Sequence, residues 1–245
     1  MKEFVLRAVC ALGVISFAGA AQAARYKEIN VNNGGTISGK VAAGKAAAKT
    51  KSFTISKDPQ ICGTGTRDVS LVEINNGVVK NAVVYLYKVK QGKPFPKELK
   101  AVTLNQKKCT FAPLFAVMAN GGKITAVNQD PTLHNIHTYE IIGKARRTVF
   151  NVSQPKAGDK FTKKVKMRRG VGMKIECDAH DFMHGYMFIA PSPYYAVIND
   201  KGEFKIDNIP PGEYKVRLWH GFLGEKKAGK IKVTAGGNTR INLSF

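Results

Sequence analysis

The chain has 245 residues, of which 39 are Lys or Arg and 17 are Asp or Glu, so its formal net charge is +22. A hydrophobic fraction of 44% is enough to build a buried core and excludes a wholly disordered chain. The excess of positive charge predicts an anionic partner or surface, although charge alone does not say which kind.

The first residues have the features of a secretory signal peptide. Lys2 and Arg7 form a basic start, residues 8–24 carry no charge, and the Ala-Gln-Ala sequence at 21–23 fits a small-x-small cleavage site. We expect cleavage after Ala23 and a periplasmic or otherwise exported protein. A retained membrane anchor is the alternative, although the apolar run is short for a span. No other stretch approaches 18 apolar residues, so we expect no transmembrane segment in the mature chain.

Short β-branched and aromatic runs, separated by Gly- and Asn-containing turns, follow the signal peptide, and no long stretch has helical periodicity. This pattern predicts an all-β fold, an antiparallel sandwich or barrel. The stretch at 41–51 is expected to be a flexible loop. Strands are expected at residues 36–41, 69–74, 78–89, 114–119, 123–128, 136–142, 148–152, 161–167 and 171–176.

The Ala-Pro-Ser-Pro sequence at 190–193 is the best candidate for a domain boundary. About five further strands follow it in roughly fifty residues, too few to trust as an independent domain, so we expect them to pack on the larger part. The predicted division is a signal peptide at 1–23, a larger β domain with an N-terminal β extension at 24–191, and a small β module at 192–245.

Removal of the signal peptide leaves three cysteines, Cys62, Cys109 and Cys177. In an oxidising compartment, this odd number suggests one disulfide and one thiol with another task. The residues by themselves leave open which cysteine is the odd one.

The segment after the predicted strand 171–176 contains Cys177, His180 and Met183, each three residues from the next. From one tight loop these side chains can converge on a single ion. Thiolate, imidazole and thioether together favour a soft or borderline metal, with copper first among them. A second imidazole is needed, and His134 supplies it near the end of the strand expected at 123–128.

The pattern Asp130-x₃-His134-Asn135 together with Cys177-x₂-His180-x₂-Met183 resembles the type 1 copper signature of the cupredoxins, and the second loop is similar to the short loop of amicyanin. The chain most resembles periplasmic cupredoxins of the methylamine-utilisation type. Those proteins carry a carboxypeptidase-regulatory-like β module after the copper domain, and the segment at 203–220 is similar to that module.

This resemblance implies a Greek-key cupredoxin β-sandwich at 24–191, followed by a transthyretin-like, carboxypeptidase-regulatory-like β-sandwich module at 192–245. It implies one type 1 copper ion, with His134, Cys177 and His180 as strong equatorial ligands and Met183 as the axial ligand. It also implies that Asn135 hydrogen-bonds across the ligand loops and helps to hold the thiolate.

With Cys177 assigned to copper by this resemblance, we expect Cys62 and Cys109 to form a disulfide, and two free thiols are the alternative. His137 and His184 depart from the family pattern, and each either competes as a ligand or is simply exposed. The alternatives to copper are the absence of a metal and a zinc site. Such a zinc site would draw on His134, His137, Cys177, His180 and His184.

The sequence thus predicts an exported blue copper protein that carries single electrons and is not an enzyme. The alternatives are a periplasmic copper carrier and an envelope-binding β-sandwich with a secondary metal site. The expected partner is an acidic redox protein, such as a c-type cytochrome, or an anionic envelope surface. Nucleic acid is excluded because the chain is expected to be exported and has no nucleic-acid-binding motif. Basic residues are dense at 156–174, directly before Cys177, so we expect a basic surface near the copper loop.

Overall fold

The computed structural model describes residues 26–245, and the predicted signal peptide at 1–23 lies outside the described residues. The described chain confirms the all-β prediction, with one short α-helix, α1 (Pro59–Cys62), and one short 3-10 helix (Lys97–Lys100). The strands are β1 (Lys27–Glu28), β2 (Gly35–Ala42), β3 (Lys49–Thr54), β4 (Thr66–Val72), β5 (Ile74–Asn75), β6 (Val78–Val79), β7 (Val83–Tyr87), β8 (Gln91–Gly92), β9 (Ala101–Gln106), β10 (Phe111–Ala112), β11 (Phe115–Ala119), β12 (Lys123–Asn128), β13 (His134–Ile142), β14 (Ala145–Gln154), β15 (Lys160–Lys164), β16 (Gly172–Glu176), β17 (His184–Ala190), β18 (Tyr195–Val197), β19 (Glu203–Ile209), β20 (Gly212–His220), β21 (Gly224–Val233) and β22 (Asn238–Ser244).

Two sheets form a first sandwich, one with the order β10-β9-β12-β15 and the other with the order β11-β17-β16-β13-β14. Alternate residues of each strand point inward, as in β12, where Ile124 and Ala126 are fully buried between exposed or half-buried neighbours. They pack against Ile136 and Ile175 of the facing sheet. The pairs β9–β12 and β11–β17 are parallel, so the chain crosses between sheets rather than running as a simple meander.

A second sandwich consists of the sheets β18-β7-β20-β21 and β19-β2-β22. Its core joins Ile37 of β2 and Val84 of β7 to Phe204, Leu218 and other residues of the C-terminal strands. β2 hydrogen-bonds β19 on one side and β22 on the other. Without β2, both of those strands would have an unpaired edge.

The composition of this second sandwich differs from the sequence expectation. β2 and β7 precede the boundary predicted at 191, where they were expected to belong to an extension of the larger β domain. Their hydrogen bonds and apolar side chains instead complete the module formed by the C-terminal strands. The division into domains stays a prediction, but hydrogen-bonded sheets span its boundary.

An aromatic layer joins the two sandwiches. The ring of Trp219 on β20 lies 5.4 Å from that of Phe188 on β17. A Cβ on Gly172 would come within 2.7 Å of the Trp219 indole nitrogen, so the β16 backbone approaches this ring closely. His220 is buried, and its Nδ1 accepts the N–H groups of Phe222 and Leu223, so it orders the turn after β20.

The hairpin β3–β4 lies at the edge of the first sandwich, with Phe53 in that sandwich's core. The predicted disulfide between Cys62 and Cys109 is present, and it ties the loop of this hairpin to the turn after β9. The stretch expected to be a flexible loop at 41–51 contains the end of β2 and the start of β3. Within residues 26–245, no helix is long and apolar enough to cross a membrane.

Candidate metal centre

Three of the predicted ligands meet at one end of the first sandwich. His134 is the first residue of β13, and Cys177 directly follows the last residue of β16. These two strands are antiparallel neighbours, with His137 opposite Glu176, so the start of one meets the end of the other. The strand pairing therefore brings together two residues that are 43 positions apart.

The three ligand atoms form a small buried triangle. Nδ1 of His134 lies 3.1 Å from Nδ1 of His180, and Sγ of Cys177 lies 3.9 Å and 3.7 Å from these two nitrogens. The residues are 0%, 1% and 2% exposed, respectively. Such separations suit two imidazole nitrogens and a thiolate that share one ion, at bond lengths of about 2.0 Å and about 2.3 Å.

The outer nitrogen of each imidazole contacts a carboxylate. Nε2 of His134 lies 2.8 Å from Oδ2 of Asp130, and Nε2 of His180 lies 2.8 Å from Oδ2 of Asp58. These contacts place a proton on each Nε2, which leaves a lone pair on each Nδ1. Two lone pairs that face each other at 3.1 Å repel unless a cation lies between them. The donor set therefore fits a bound metal ion.

Burial controls the protonation of the metal-free site. Burial raises the pKa of the Cys177 thiol, although the backbone N–H of Asn135 acts in the opposite direction. Burial also lowers the pKa of His134, against the opposing effect of Asp130. The metal-free site thus holds a neutral imidazole beside a neutral thiol, and metal binding must release the thiol proton.

Asp130 is itself held by the neighbouring turn. Burial raises its pKa, but hydrogen bonds from the backbone N–H of Cys109, from His134 and from the backbone N–H of Lys108 outweigh burial, so its pKa lies below the usual value. The two backbone N–H groups lie 2.8 Å and 2.7 Å from its oxygens. A buried, ionised carboxylate thus fixes the orientation of the His134 ring.

Asn135 connects the two ligand loops. Its backbone N–H points at Sγ of Cys177 at 3.4 Å, and its side-chain oxygen accepts the backbone N–H of Asp178. Its side-chain nitrogen lies 2.9 Å from Oδ2 of Asp178 and 2.7 Å from Oδ1 of Asn151. Asn135 thus hydrogen-bonds to both sides of the junction between the His134 loop and the Cys177 loop.

Met183 closes the ligand loop and is 1% exposed. Its backbone N–H donates to the carbonyl of His180 at 3.0 Å, and its carbonyl accepts the N–H of Cys177 at 3.4 Å. Cys177, His180 and Met183 therefore lie in one closed turn and contribute side chains to the same buried region.

The two additional histidines lie apart from this triangle. Nδ1 of His137 lies 3.0 Å from a carboxylate oxygen of Asp178, and its ring stacks on Tyr139. The ring of His184 lies 5.4 Å from that of Phe53. Within residues 26–245, neither imidazole belongs to a group of converging ligand atoms. Of the five residues on which the zinc alternative would draw, the structure therefore brings together His134, Cys177 and His180.

The basic residues at 156–174 are spread along the first sandwich, because Lys160 pairs with Val127 near the end of β12 that leads to His134, whereas Lys163 pairs with Ile124 further from it. The N–H groups of Arg168, Arg169 and Gly170 donate to the buried Glu140, at the end of β16 remote from Cys177. The five residues of β16 separate the two ends by about 16 Å. Lys174 of the same cluster lines a cavity together with Cys177, so the expectation of a basic surface near this loop stays a prediction.

Sequence reasoning missed the role of both carboxylates. Asp130 stood in the family motif without an assigned contact, and Asp58 lies 122 positions from His180. In the sequence, Asp58 is recognisable only as a loop residue that precedes a Pro in a segment containing a cysteine. This is a weak signal for a site residue.

Comparison with known protein families gives a match to part of the chain. The family model described as polysaccharide lyase family 4, domain II, matches residues 192–241, which lie in the second sandwich. No curated protein matches the chain.

Three similar solved structures each match less than half of this chain. A copper-containing nitrite reductase from Thermus scotoductus SA-01 is 16% identical over 42% of this chain and 24% of its own, with a TM-score of 0.30. A purple cupredoxin from Nitrosopumilus maritimus is 18% identical over 36% of this chain and 99% of its own, with a TM-score of 0.31. A reduced Cu(I) form of an amicyanin mutant is 18% identical over 37% of this chain and 82% of its own, with a TM-score of 0.30.

Proposed function

We propose that the protein is an exported type 1 copper protein that carries single electrons between redox partners. The observation that carries the proposal is the buried triangle of two imidazole nitrogens and one sulfur, contributed by His134, His180 and Cys177. Together with a thioether from Met183, this donor set suits copper better than the hard, oxygen-preferring cations.

In this proposal the protein supplies a rigid, dry set of ligands. When bound, copper provides reversible one-electron chemistry. The carboxylates of Asp130 and Asp58 hold the two rings, and Asn135 holds the sulfur, so the ligands keep nearly the same positions in both oxidation states. Because the ligands do not rearrange, little reorganisation opposes electron transfer. No substrate is turned over, so the protein is not an enzyme, and an acidic redox protein such as a c-type cytochrome is its partner.

The test is the visible spectrum of the purified protein after addition of Cu(II). We expect an intense thiolate-to-copper charge-transfer band that is absent from Cys177→Ser, because the thiolate generates this band. His137→Gln is the matched control and should keep the band, because this imidazole contacts Asp178 instead of the triangle. A colourless protein that retains zinc, or a band that persists in Cys177→Ser, would contradict the proposal.

A second candidate function is attachment to an anionic envelope polysaccharide through the second sandwich. Lys205, Ser38 and Arg240 are directly paired across β19, β2 and β22, which aligns two cationic residues across one sheet. The family match at 192–241 lies in the same sandwich. If the copper-free Cys177→Ala variant is retained on envelope material, attachment does not depend on copper. Retention should then be lost when Lys205→Glu and Arg240→Glu are added to that variant.

A further inference from the structure

Residues 55–65, here called the cover segment, connect β3 to β4 and contain α1. Oδ2 of Asp58 in this segment lies 2.8 Å from Nε2 of His180. The His180 side chain has no exposed surface, whereas about one third of the Asp58 side chain, 34%, is exposed. The carboxylate thus stands between the outer edge of this imidazole and solvent.

The backbone of the cover segment is folded around Asp58. The Asp58 carbonyl accepts the N–H groups of Ile61 and Cys62 at 2.9 Å and 2.8 Å. Asp58 has φ 50° and ψ 47°, in the left-handed region that Asp and Asn tolerate better than most other residues. This conformation begins α1 directly at the residue that contacts His180.

A covalent bond anchors the cover segment to the other half of the site. Cys62 in α1 is joined to Cys109, whose backbone N–H donates to the Asp130 oxygen that contacts His134. The disulfide therefore links the cover segment, which contacts the His180 ring, to the turn that holds Asp130, the carboxylate that contacts the His134 ring. The sulfur atoms of this bridge lie within 4.8 Å of a His180 ring nitrogen.

Further contacts hold the cover segment against the first sandwich. The guanidinium of Arg67 donates to the carbonyls of both bridged cysteines, Cys62 and Cys109, and lies 4.6 Å from the centre of the Phe182 ring. Ile55 and Ile61 pack against the core of the first sandwich. The cover segment is thus attached to the ligand loop by covalent, polar and apolar contacts.

Building on the proposed copper site, we propose that the cover segment makes the metal a resident cofactor rather than a cargo. Asp58 is a positioning residue that holds His180 ready to bind, and the anchored segment closes the outer side of that ligand. Metal exchange then requires displacement of Asp58 from His180. A carrier has the opposite requirement, because its cargo must leave readily.

The first experiment uses the copper-free full chain and does not depend on copper binding. Iodoacetamide labelling of Cys177, followed by peptide mass, reports whether the cover segment protects the site. We expect labelling at least about tenfold faster in Asp58→Ala and in the double variant Cys62→Ser/Cys109→Ser than in the unmodified chain. Asp58→Asn keeps a side-chain acceptor and should restore most of the protection.

Asp68→Ala is the matched control, because Asp68 is an exposed carboxylate of the same hairpin that accepts from Ser52. It should label at the rate of the unmodified chain. Circular dichroism of each variant shows whether the β-structure is retained. Equal labelling rates for folded Asp58→Ala and the unmodified chain would overturn the role of the cover segment, whatever the protein binds.

The second experiment follows the transfer of Cu(I) from the loaded protein to excess bicinchoninate. We expect release about tenfold or more faster from Asp58→Ala and from the double cysteine variant, with Asp68→Ala unchanged, because loss of a ligand's hydrogen-bond partner weakens metal sites about 10–100-fold. Equal release from all variants would overturn the resident-cofactor inference. A chain that binds no copper would instead overturn the proposed function and leave the labelling result standing.

Discussion

Oδ2 of Asp130 lies 2.8 Å from Nε2 of His134, and both side chains are almost fully buried. The same carboxylate accepts two backbone N–H groups from the turn at Lys108 and Cys109, so it cannot rotate freely. The orientation of the His134 ring is thus determined by a turn that lies 25 and 26 positions earlier in the chain.

Asp130→Asn should weaken copper binding by about 10–100-fold, because the amide is a poorer acceptor for the imidazole N–H than the carboxylate. A competition titration against a chelator measures this change. Asp200→Asn, at an exposed carboxylate that pairs with Lys80, should keep the original affinity. An unchanged affinity in Asp130→Asn would show that the ring needs no carboxylate to hold it.

Met183→Leu should keep the strong colour and raise the reduction potential, because a thioether ligand in this position is weak and its loss favours Cu(I). Electrochemistry and the visible spectrum measure both effects. His184→Ala should leave the spectrum unchanged, since this ring lies beside Phe53 outside the triangle. The axial assignment fails if Met183→Leu bleaches the protein while His184→Ala changes its spectrum.

Glu140 should make the protein sensitive to acid. Burial raises its pKa, but the N–H groups of Arg169, Gly170 and Arg168 and the Arg147 guanidinium outweigh burial and hold the pKa below its usual value of 4.5. The ionised form therefore stabilises the folded state above pH 4.5, and this contribution is lost as the pH falls through the lower folded value.

Glu140→Gln should lower the free energy of unfolding at pH 7 by roughly 2–3 kcal/mol, because it removes charge-assisted hydrogen bonds from a buried group. Urea unfolding at pH 7 and at pH 3 should show a smaller difference from the original protein at the lower pH. Glu213→Gln, at an exposed strand position, is the control and should have little effect at either pH. An equal loss of unfolding free energy at both pH values would show that ionisation of Glu140 does not stabilise the folded state.

Lys51 lines the same cavity as Cys177, Asp178 and Asp181, whereas Lys163 lies on β15 near its remote end, paired with Ile124. If the proposed copper site is present, Lys51→Glu should therefore slow electron exchange with hexacyanoferrate several-fold at low ionic strength, because like charges then repel near the loop that begins at Cys177. Stopped-flow kinetics at low and high salt measure this effect. Lys163→Glu should change the rate little, and equal slowing by both variants would mean that only the net charge matters.

Local sequence patterns were sufficient to predict several elements. The strand predicted at 123–128 is β12. One of the expected Gly- and Asn-containing turns forms the tight hairpin between β5 and β6, with φ 51° at Asn76 and 74° at Gly77. The strand β9 (Ala101–Gln106) was missed, because its alternation is short and lies next to a lysine-rich stretch.

The sequence by itself determined the all-β class and the disulfide partners, and it predicted a ligand loop from Cys177 to Met183, because each of these depends on short-range periodicity, on spacing within one loop or on the family motif. Only the tertiary structure decided that β2 and β7 complete the C-terminal sandwich and that Asp58 reaches His180 across 122 positions. These contacts depend on which distant strand edge or buried ring each segment packs against. A local sequence pattern predicts which face of a strand is buried, but it does not predict which distant segment will pack against that face.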